Sequence, residues 1–303
     1  MNSRNRNLYL LAAAALTLAA CDAAKRYEAT VQRSWPAAGI SRLHIREVDG
    51  SVDVVAADVS DIALTAKIHS RGTAPDARAE NQGFFSTAVD GNTLEIGRKS
   101  TVRVGLPFLH TNDVSINYTL TVPRTVALDV KTVNGRIVSR GINGESAFTS
   151  VNGRIEIETS GENELSATAV NGGVLAKFDK TFQGAMLKTV NGRVEAILPQ
   201  SASFACDLSQ VNGDFEASFP LSIRSNPGSR RVSGEVNGGR YALKITTVNG
   251  DIRVDNGTGR GRAQMAPEPP VPPDAADAPD APEAPEAPEA PDAPEAPAAP
   301  NRT

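Results

Sequence analysis

The chain is poor in the residues from which enzymes and metal sites are built. Among 303 residues there are two cysteines, one tryptophan, four tyrosines and three histidines. Two cysteines permit at most one disulfide, and none if either thiol is committed elsewhere. The histidines, His44, His69 and His110, share no metal-ligand spacing, and His44 sits between Leu43 and Ile45 as an outward strand residue would. The patterns His-Glu-x-x-His, Cys-x-x-Cys and Gly-x-Ser-x-Gly are missing, as are the phosphate loop and the calcium-binding Gly-Gly-x-Gly-x-Asp repeat. No cofactor or metal is therefore expected. Period-3.6 patterning is almost absent beyond the first twenty residues, which excludes a helical core. The one long apolar run, Leu8 to Ala20, is too short for a comfortable membrane span.

That run follows Arg4 and Arg6 and ends in Leu18-Ala19-Ala20-Cys21. A short basic region, an apolar stretch and small residues before a cysteine look like a bacterial lipoprotein signal. On that reading residues 1–20 are removed, Cys21 carries the lipid, and residues 21–37 form a lipidated linker. Asp22 resembles an inner-membrane retention signal of some Gram-negative lineages. Acyl chains contribute about 0.8 kcal/mol per buried methylene, so more than one chain gives a stable anchor. The expected location is the cell envelope, lipid-anchored, on the periplasmic face if Gram-negative. Cys206 then stands alone. Its place in Phe204-Ala-Cys-Asp-Leu208, alternating with apolar neighbours, reads as a buried, unreactive thiol.

At the other end the composition changes near Arg262. Thirteen of the twenty prolines fall between Pro267 and Pro300, among alanines and acids. Residues 261–303 therefore read as a disordered tail in polyproline II. Seven acids recur there every three residues, from Asp277 to Glu295. Three residues make one polyproline turn, so these carboxylates line one edge about 9 Å apart. The tail from Gln264 carries net charge −8, leaving +4 on the remainder.

Residues 38–260 between them are repetitive. Val-Asn-Gly recurs at Val133, Val151, Val170, Val190, Val211, Val236 and Val248, with Ile142-Asn143-Gly144 as a variant. Taking each valine as position zero, apolar residues recur five and three before it and four and six after it. Leu128, Val130 and Ile137 do so around Val133; Ala185, Leu187, Val194 and Ala196 around Val190. The template extends upstream to Val48-Asp49-Gly50, and a copy slipped by one sits at Val89-Asp90-Gly91. Spacing of two is strand periodicity, and Asn-Gly between two strands is a tight turn tolerant of positive φ.

Two architectures fit. In a parallel β-solenoid with coils of about 20 residues, each Asn-Gly is a corner, the valine points inward and equivalent residues stack as ladders. About eleven such coils at ~4.8 Å would stack to roughly 50 Å. In an antiparallel hairpin repeat or sandwich, each Asn-Gly is instead a two-residue turn. The solenoid explains better why the asparagine itself recurs. It makes Asn134-Gly135, Asn152-Gly153, Asn171-Gly172, Asn191-Gly192, Asn212-Gly213, Asn237-Gly238 and Asn249-Gly250 structural corners.

Val114-Ser-Ile-Asn-Tyr-Thr-Leu-Thr-Val-Pro123, followed by Leu128-Asp-Val-Lys-Thr-Val-Asn-Gly135, resembles the bacterial adhesin-like family of β-strand-repeat domains of unknown function. The likeness runs over about residues 38–255. It implies a β-helix-like fold and an envelope location, and it supplies no catalytic residues. Carboxylates do lie near the turns, as Asp214, Asp251, Glu156, Glu158 and Glu195, which keeps a polysaccharide-active enzyme as a remote alternative. Arg224, Arg230, Arg231 and Arg240 read as a solvated basic loop, with no nucleic acid expected in the envelope. The main expectation is a non-enzymatic adhesin-like or scaffolding surface for a cell-wall polymer or an envelope protein. A regulatory accessory of an envelope-stress pathway is the alternative. The sequence leaves the oligomeric state open.

Overall fold

The structure is a computed structural model that describes residues 26–71, 85–98, 114–226 and 229–257. The chain divides into two units, Met1–Thr258 and Gly259–Thr303, and every described residue falls in the first. Cys21, His110 and the acidic tail lie outside the described residues.

All regular structure among these residues is β. The first strands are β1 (Arg26–Pro36), β2 (Arg42–Arg46), β3 (Val52–Ala57), β4 (Asp61–Arg71), β5 (Phe85–Asp90), β6 (Thr93–Arg98) and β7 (Val114–Pro123). The central ones are β8 (Ala127–Asn134), β9 (Ile137–Ile142), β10 (Ser146–Asn152), β11 (Ile155–Thr159), β12 (Leu165–Asn171), β13 (Val174–Phe178), β14 (Ala185–Lys188) and β15 (Val194–Ile197). The last are β16 (Phe204–Asn212), β17 (Phe215–Ala217), β18 (Ser222–Asn226), β19 (Ser229–Val236), β20 (Tyr241–Asn249) and β21 (Ile252–Asp255).

These strands form two sheets. Sheet I has the order β18-β19-β16-β20-β14-β12-β10-β8-β2-β6-β5, and sheet II the order β1-β4-β7-β3-β9-β11-β13-β15-β21-β17. The middle of each sheet is parallel, with Asn134 of β8 beside Asn152 of β10 and Asn152 beside Asn171 of β12. Each coil runs along sheet I, turns at its Val-Asn-Gly, runs along sheet II and returns. The result is a β-solenoid-like stack rather than a closed barrel. Hairpin pairing is confined to the ends, where β1–β4, β4–β7, β5–β6, β16–β19 and β18–β19 are antiparallel. The parallel stack is the architecture of the Asn-Gly repeat, and antiparallel strands close its two ends.

The core lies between the sheets. The apolar template positions fill it: Leu43, Ile45, Val52 and Val54 are fully buried, as are Leu187, Val194, Leu243, Ile245, Ile252 and Val254. Burying each large aliphatic side chain stabilises the fold by about 1.5–3 kcal/mol. Phe178, Phe182, Phe204 and Phe219 meet edge to face in turn, with ring centroids 5.0–5.9 Å apart.

Four expectations change. Seven coils turn at the asparagine corner, from Asp49 to Asn212, instead of eleven; the remaining length is spent on hairpins. At the seven ladder corners the zero-position valine points outward, whereas Val236 and Ile142, whose Asn-Gly lies elsewhere, are buried. Alternation along β8 buries Leu128, Val130 and Thr132 and exposes Val133, so the buried neighbour of the corner is the polar residue before the valine. Val89-Asp90-Gly91 is no corner: Asp90 pairs with Thr93 across an ordinary hairpin turn, with Gly91 at φ 58°. Finally, β1 occupies residues read as a linker, and its Val31 and Trp35 pack on the core.

Coil order also departs from chain order. The coil β20–β21 lies between β14–β15 and β16–β17, hydrogen-bonded on both sides. The segment from β15 to β16 therefore skips one slot, which the last coil of the chain fills.

Candidate functional site: the asparagine corner

The corner positions form one continuous hydrogen-bonded ladder. Asn134 Nδ2 donates to Asp49 Oδ1 at 2.7 Å, and Asn152 donates to Asn134 at 2.8 Å. Asn171 then donates to Asn152, Asn191 to Asn171, Asn249 to Asn191 and Asn212 to Asn249, all within 2.8–2.9 Å. Every amide points its donor toward the amino-terminal end of the stack. An amide carries two N–H groups and an oxygen with two lone pairs, so the ladder uses only part of each asparagine's capacity. All six asparagines are exposed, and the remainder faces outward.

The ladder ends where its chemistry requires an acceptor. Asp49 is a carboxylate and can only accept, which is why this coil carries Asp-Gly in place of Asn-Gly. Its second oxygen takes a hydrogen bond from Arg98 Nη1 at 3.0 Å, and Arg98 Nη2 donates to the Val114 carbonyl at 2.9 Å. Beneath lies Glu47, with its side chain shut off from solvent and its Oε1 3.6 Å from Arg98. Burial pushes the Glu47 carboxyl above its usual range, against backbone hydrogen bonds, Tyr118 and Arg98. Burial likewise lifts the Tyr118 phenol, reinforced by the charge of Glu47.

Glycine is needed beside the asparagine for closeness more than for handedness. A Cβ on Gly153 would lie 2.0 Å from the Gly135 carbonyl oxygen, and one on Gly172 would lie 2.1 Å from that of Gly153. The same approach recurs at Gly192, Gly250 and Gly213, each against the glycine of the next coil in the stack. Only Gly50 and Gly213 of this row have positive φ, so the expected tolerance of left-handed backbone is not the general reason. At four corners the buried residue before the valine adds a donor to a glycine carbonyl. Ser150 Oγ donates to the Gly135 carbonyl at 3.2 Å and Thr189 Oγ1 to that of Gly172 at 2.8 Å. Gln210 Nε2 donates instead to the Gly213 carbonyl of its own coil, at 2.6 Å. This donor at position −1 was visible in the sequence as Ser150, Thr189, Gln210 and Thr247. A template of apolar positions alone passes over it.

Two expected corner members stand elsewhere. Asn237-Gly238 belongs to the turn from β19 to β20, with Asn237 at φ 49° and its Nδ2 on the Ala202 carbonyl at 2.9 Å. Asn143 lies at the opposite turn of its coil, where its Oδ1 accepts from Ser160 Oγ at 2.6 Å. Repetition of the tripeptide does not separate these from ladder members; the pairing of strands does.

The other candidates are engaged. Asp251 accepts from Arg193 at 2.8 Å and from the Asp214 amide at 3.0 Å, which together hold its carboxyl below the usual range. Glu158 pairs with Lys177 at 2.8 Å, Glu156 with Arg154 at 3.2 Å, and Glu195 lies 3.9 Å from Arg253. Arg231 binds Asp207 through two hydrogen bonds of 2.9 Å, and Arg240 stacks on Tyr241. Cys206 is buried and its thiol pKa is raised by that burial. Among the described residues no group of three or more His, Cys, Asp or Glu is placed to hold a metal. A cavity of about 10 Å³ beside Ser139, Ile157 and Thr159 has room for little more than a water molecule.

These features define a class of protein: an all-β repeat stack whose distinguishing surface is a corner ladder. Residues 113–255 match the model of the family described as Toastrack DUF4097. The upstream coil β2–β3 adds a seventh rung outside the matched stretch. No curated protein matches the chain. Among solved structures, a candidate cell adhesion protein from Clostridium sporogenes is 10% identical, covering 76% of this chain and 99% of its own, with a TM-score of 0.39. A candidate adhesin from Bacteroides fragilis is 13% identical over 74% of this chain and 96% of its own, with a TM-score of 0.41. A candidate lipid binding protein from Parabacteroides distasonis is 12% identical over the same shares, with a TM-score of 0.32.

Proposed function

We propose that this chain is a non-enzymatic, adhesin-like or scaffolding protein of the cell envelope. Lipid on Cys21 holds it to a membrane, and the asparagine corner meets a hydroxyl-rich cell-wall polymer or an envelope protein. One observation carries the reading: a row of exposed amides, each with donor and acceptor capacity left over, repeated at strand spacing and fixed by its own ladder. A linear polymer offers hydroxyls and carbonyls repeatedly. Individually weak contacts then add along the row, and a rigid row loses little freedom on binding. The ion-paired state of the nearby carboxylates supports binding over hydrolysis.

Pulldown from native envelopes tests this. Wall fragments are expected to be retained by the wild-type chain and lost with Asn171→Asp, which sets a charge in the row. Failure of the wild type to retain wall material would sink the polymer reading. One stoichiometric membrane protein in its place would favour a regulatory accessory.

A further inference from the structure

Strand β12 is the sixth of eleven strands in sheet I. A half-turn about an axis along it exchanges β10 with β14, β8 with β20 and β2 with β16. We propose that the outward face of sheet I is an isologous interface between two copies of this chain, packed face to face with their stacks antiparallel and centred on β12.

A sheet with one face in the core normally shows polar residues on the other. Here seven neighbouring strands each present a valine in one row, from Val48 through Val170 to Val211. Under the half-turn this row meets itself: Val170 faces its own copy, Val151 faces Val190 and Val133 faces Val248. The charges follow the same symmetry. In the row four residues before the valines, Asp129 of β8 comes opposite Lys244 of β20, Ala147 opposite Met186 and Ser166 opposite its copy. In the row between, Lys131 faces Thr246 and Lys188 faces Thr149, so lysines meet hydroxyls. Aligning the two stacks in parallel would instead set Asp129 on Asp129 and Lys244 on Lys244. The antiparallel order is thus selected by charge.

The area suffices. Seven strands at ~4.8 Å and about six residues at ~3.3 Å make a face of roughly 30 by 20 Å, or about 600 Å² per copy. A total near 1,200 Å² is the lower bound of stable specific interfaces. The asparagine row lies at the rim of this face, and the half-turn, which keeps position along the strand, brings the rows of the two copies to the same edge.

Sedimentation equilibrium of the full chain in detergent tests the proposal, with a dimer expected. Lys244→Asp sets Asp opposite Asp129, and Asp129→Lys sets Lys opposite Lys244; each is expected to weaken the dimer at least tenfold. Combining the two restores opposite charges across the axis and is expected to restore the dimer, which a merely misfolded variant would not do. A monomeric wild type overturns the proposal, including one that instead captures an envelope protein on this face. Dimers that survive both single changes, or a double variant that stays monomeric, also overturn it. None of these readouts depends on a wall ligand.

Discussion

Val190 and Leu187 lie three residues apart in one repeat and have opposite fates. Leu187 is fully buried, whereas Val190 is 40% exposed. In the monomer, at concentrations too low for pairing, Val190→Asp is therefore expected to change stability by no more than about 0.5 kcal/mol, while Leu187→Asp costs several kcal/mol by burying an unpaired charge. Urea midpoints of the two variants check this, and equal losses would put the valine back in the core. Glycine is the least replaceable member of the corner. A methyl group on Gly172 would stand 2.1 Å from a carbonyl oxygen, so Gly172→Ala must push two coils apart. A loss of about 2–4 kcal/mol is expected, in the range for overpacking against backbone that cannot yield. The substitution Gly91→Ala separates the two uses of glycine. Nothing lies within 4 Å of its missing Cβ, and only its φ of 58° opposes the change. The expected cost there is about 1–2 kcal/mol.

Among the elements, the coil β20–β21 controls the carboxyl-terminal end of the stack. It supplies the parallel partner of β16 in sheet I and of β17 in sheet II. Deleting residues 241–257 leaves β14, β15 and β16 with open edges and β17 without its strand partner, and amide exchange is expected to lose protection in those strands while β8–β11 keep theirs. Uniform loss would mean that the stack folds only as a whole. At the opposite end Glu47 governs the response to pH. Its pKa is raised on folding, chiefly by burial, from an ordinary value of 4.5. The folded chain then holds that proton more tightly than the unfolded one. This contribution to stability is full below pH 4.5 and is lost as the pH climbs through the folded value. Glu47→Gln is expected to flatten this decline in denaturant midpoints taken from about pH 4 to pH 7. An unchanged slope would show that the hydrogen bonds and Arg98 cancel the effect of burial.

For the whole molecule, the placing of function on a surface follows from the stack itself. Parallel coils bring identical side chains to the same height, coil after coil, and so convert a sequence repeat into rows of like chemistry. The anchor proposed at Cys21 is tested by Cys21→Ala, expected to shift the protein from the detergent to the aqueous phase on partitioning; unchanged partitioning would remove the anchor. An antiparallel pair would also set the two β1 strands at opposite ends of the assembly, which suits contact between two surfaces better than alignment on one.

The sequence by itself determined the strand periodicity, the inward apolar positions and the recurrence of Asn-Gly, because each depends on neighbours a few residues away. From these follow a stack and the existence of its corner. Tertiary structure alone decided which Asn-Gly pairs join the ladder, since Asn249 reaches Asn191 and Asn212 only through strands distant in the chain. It also decided that the valine faces out. At four of the seven corners the buried residue before the valine is a hydroxyl or amide that donates to a glycine carbonyl. There a carbonyl held close to another backbone gains a donor, which no valine could have provided.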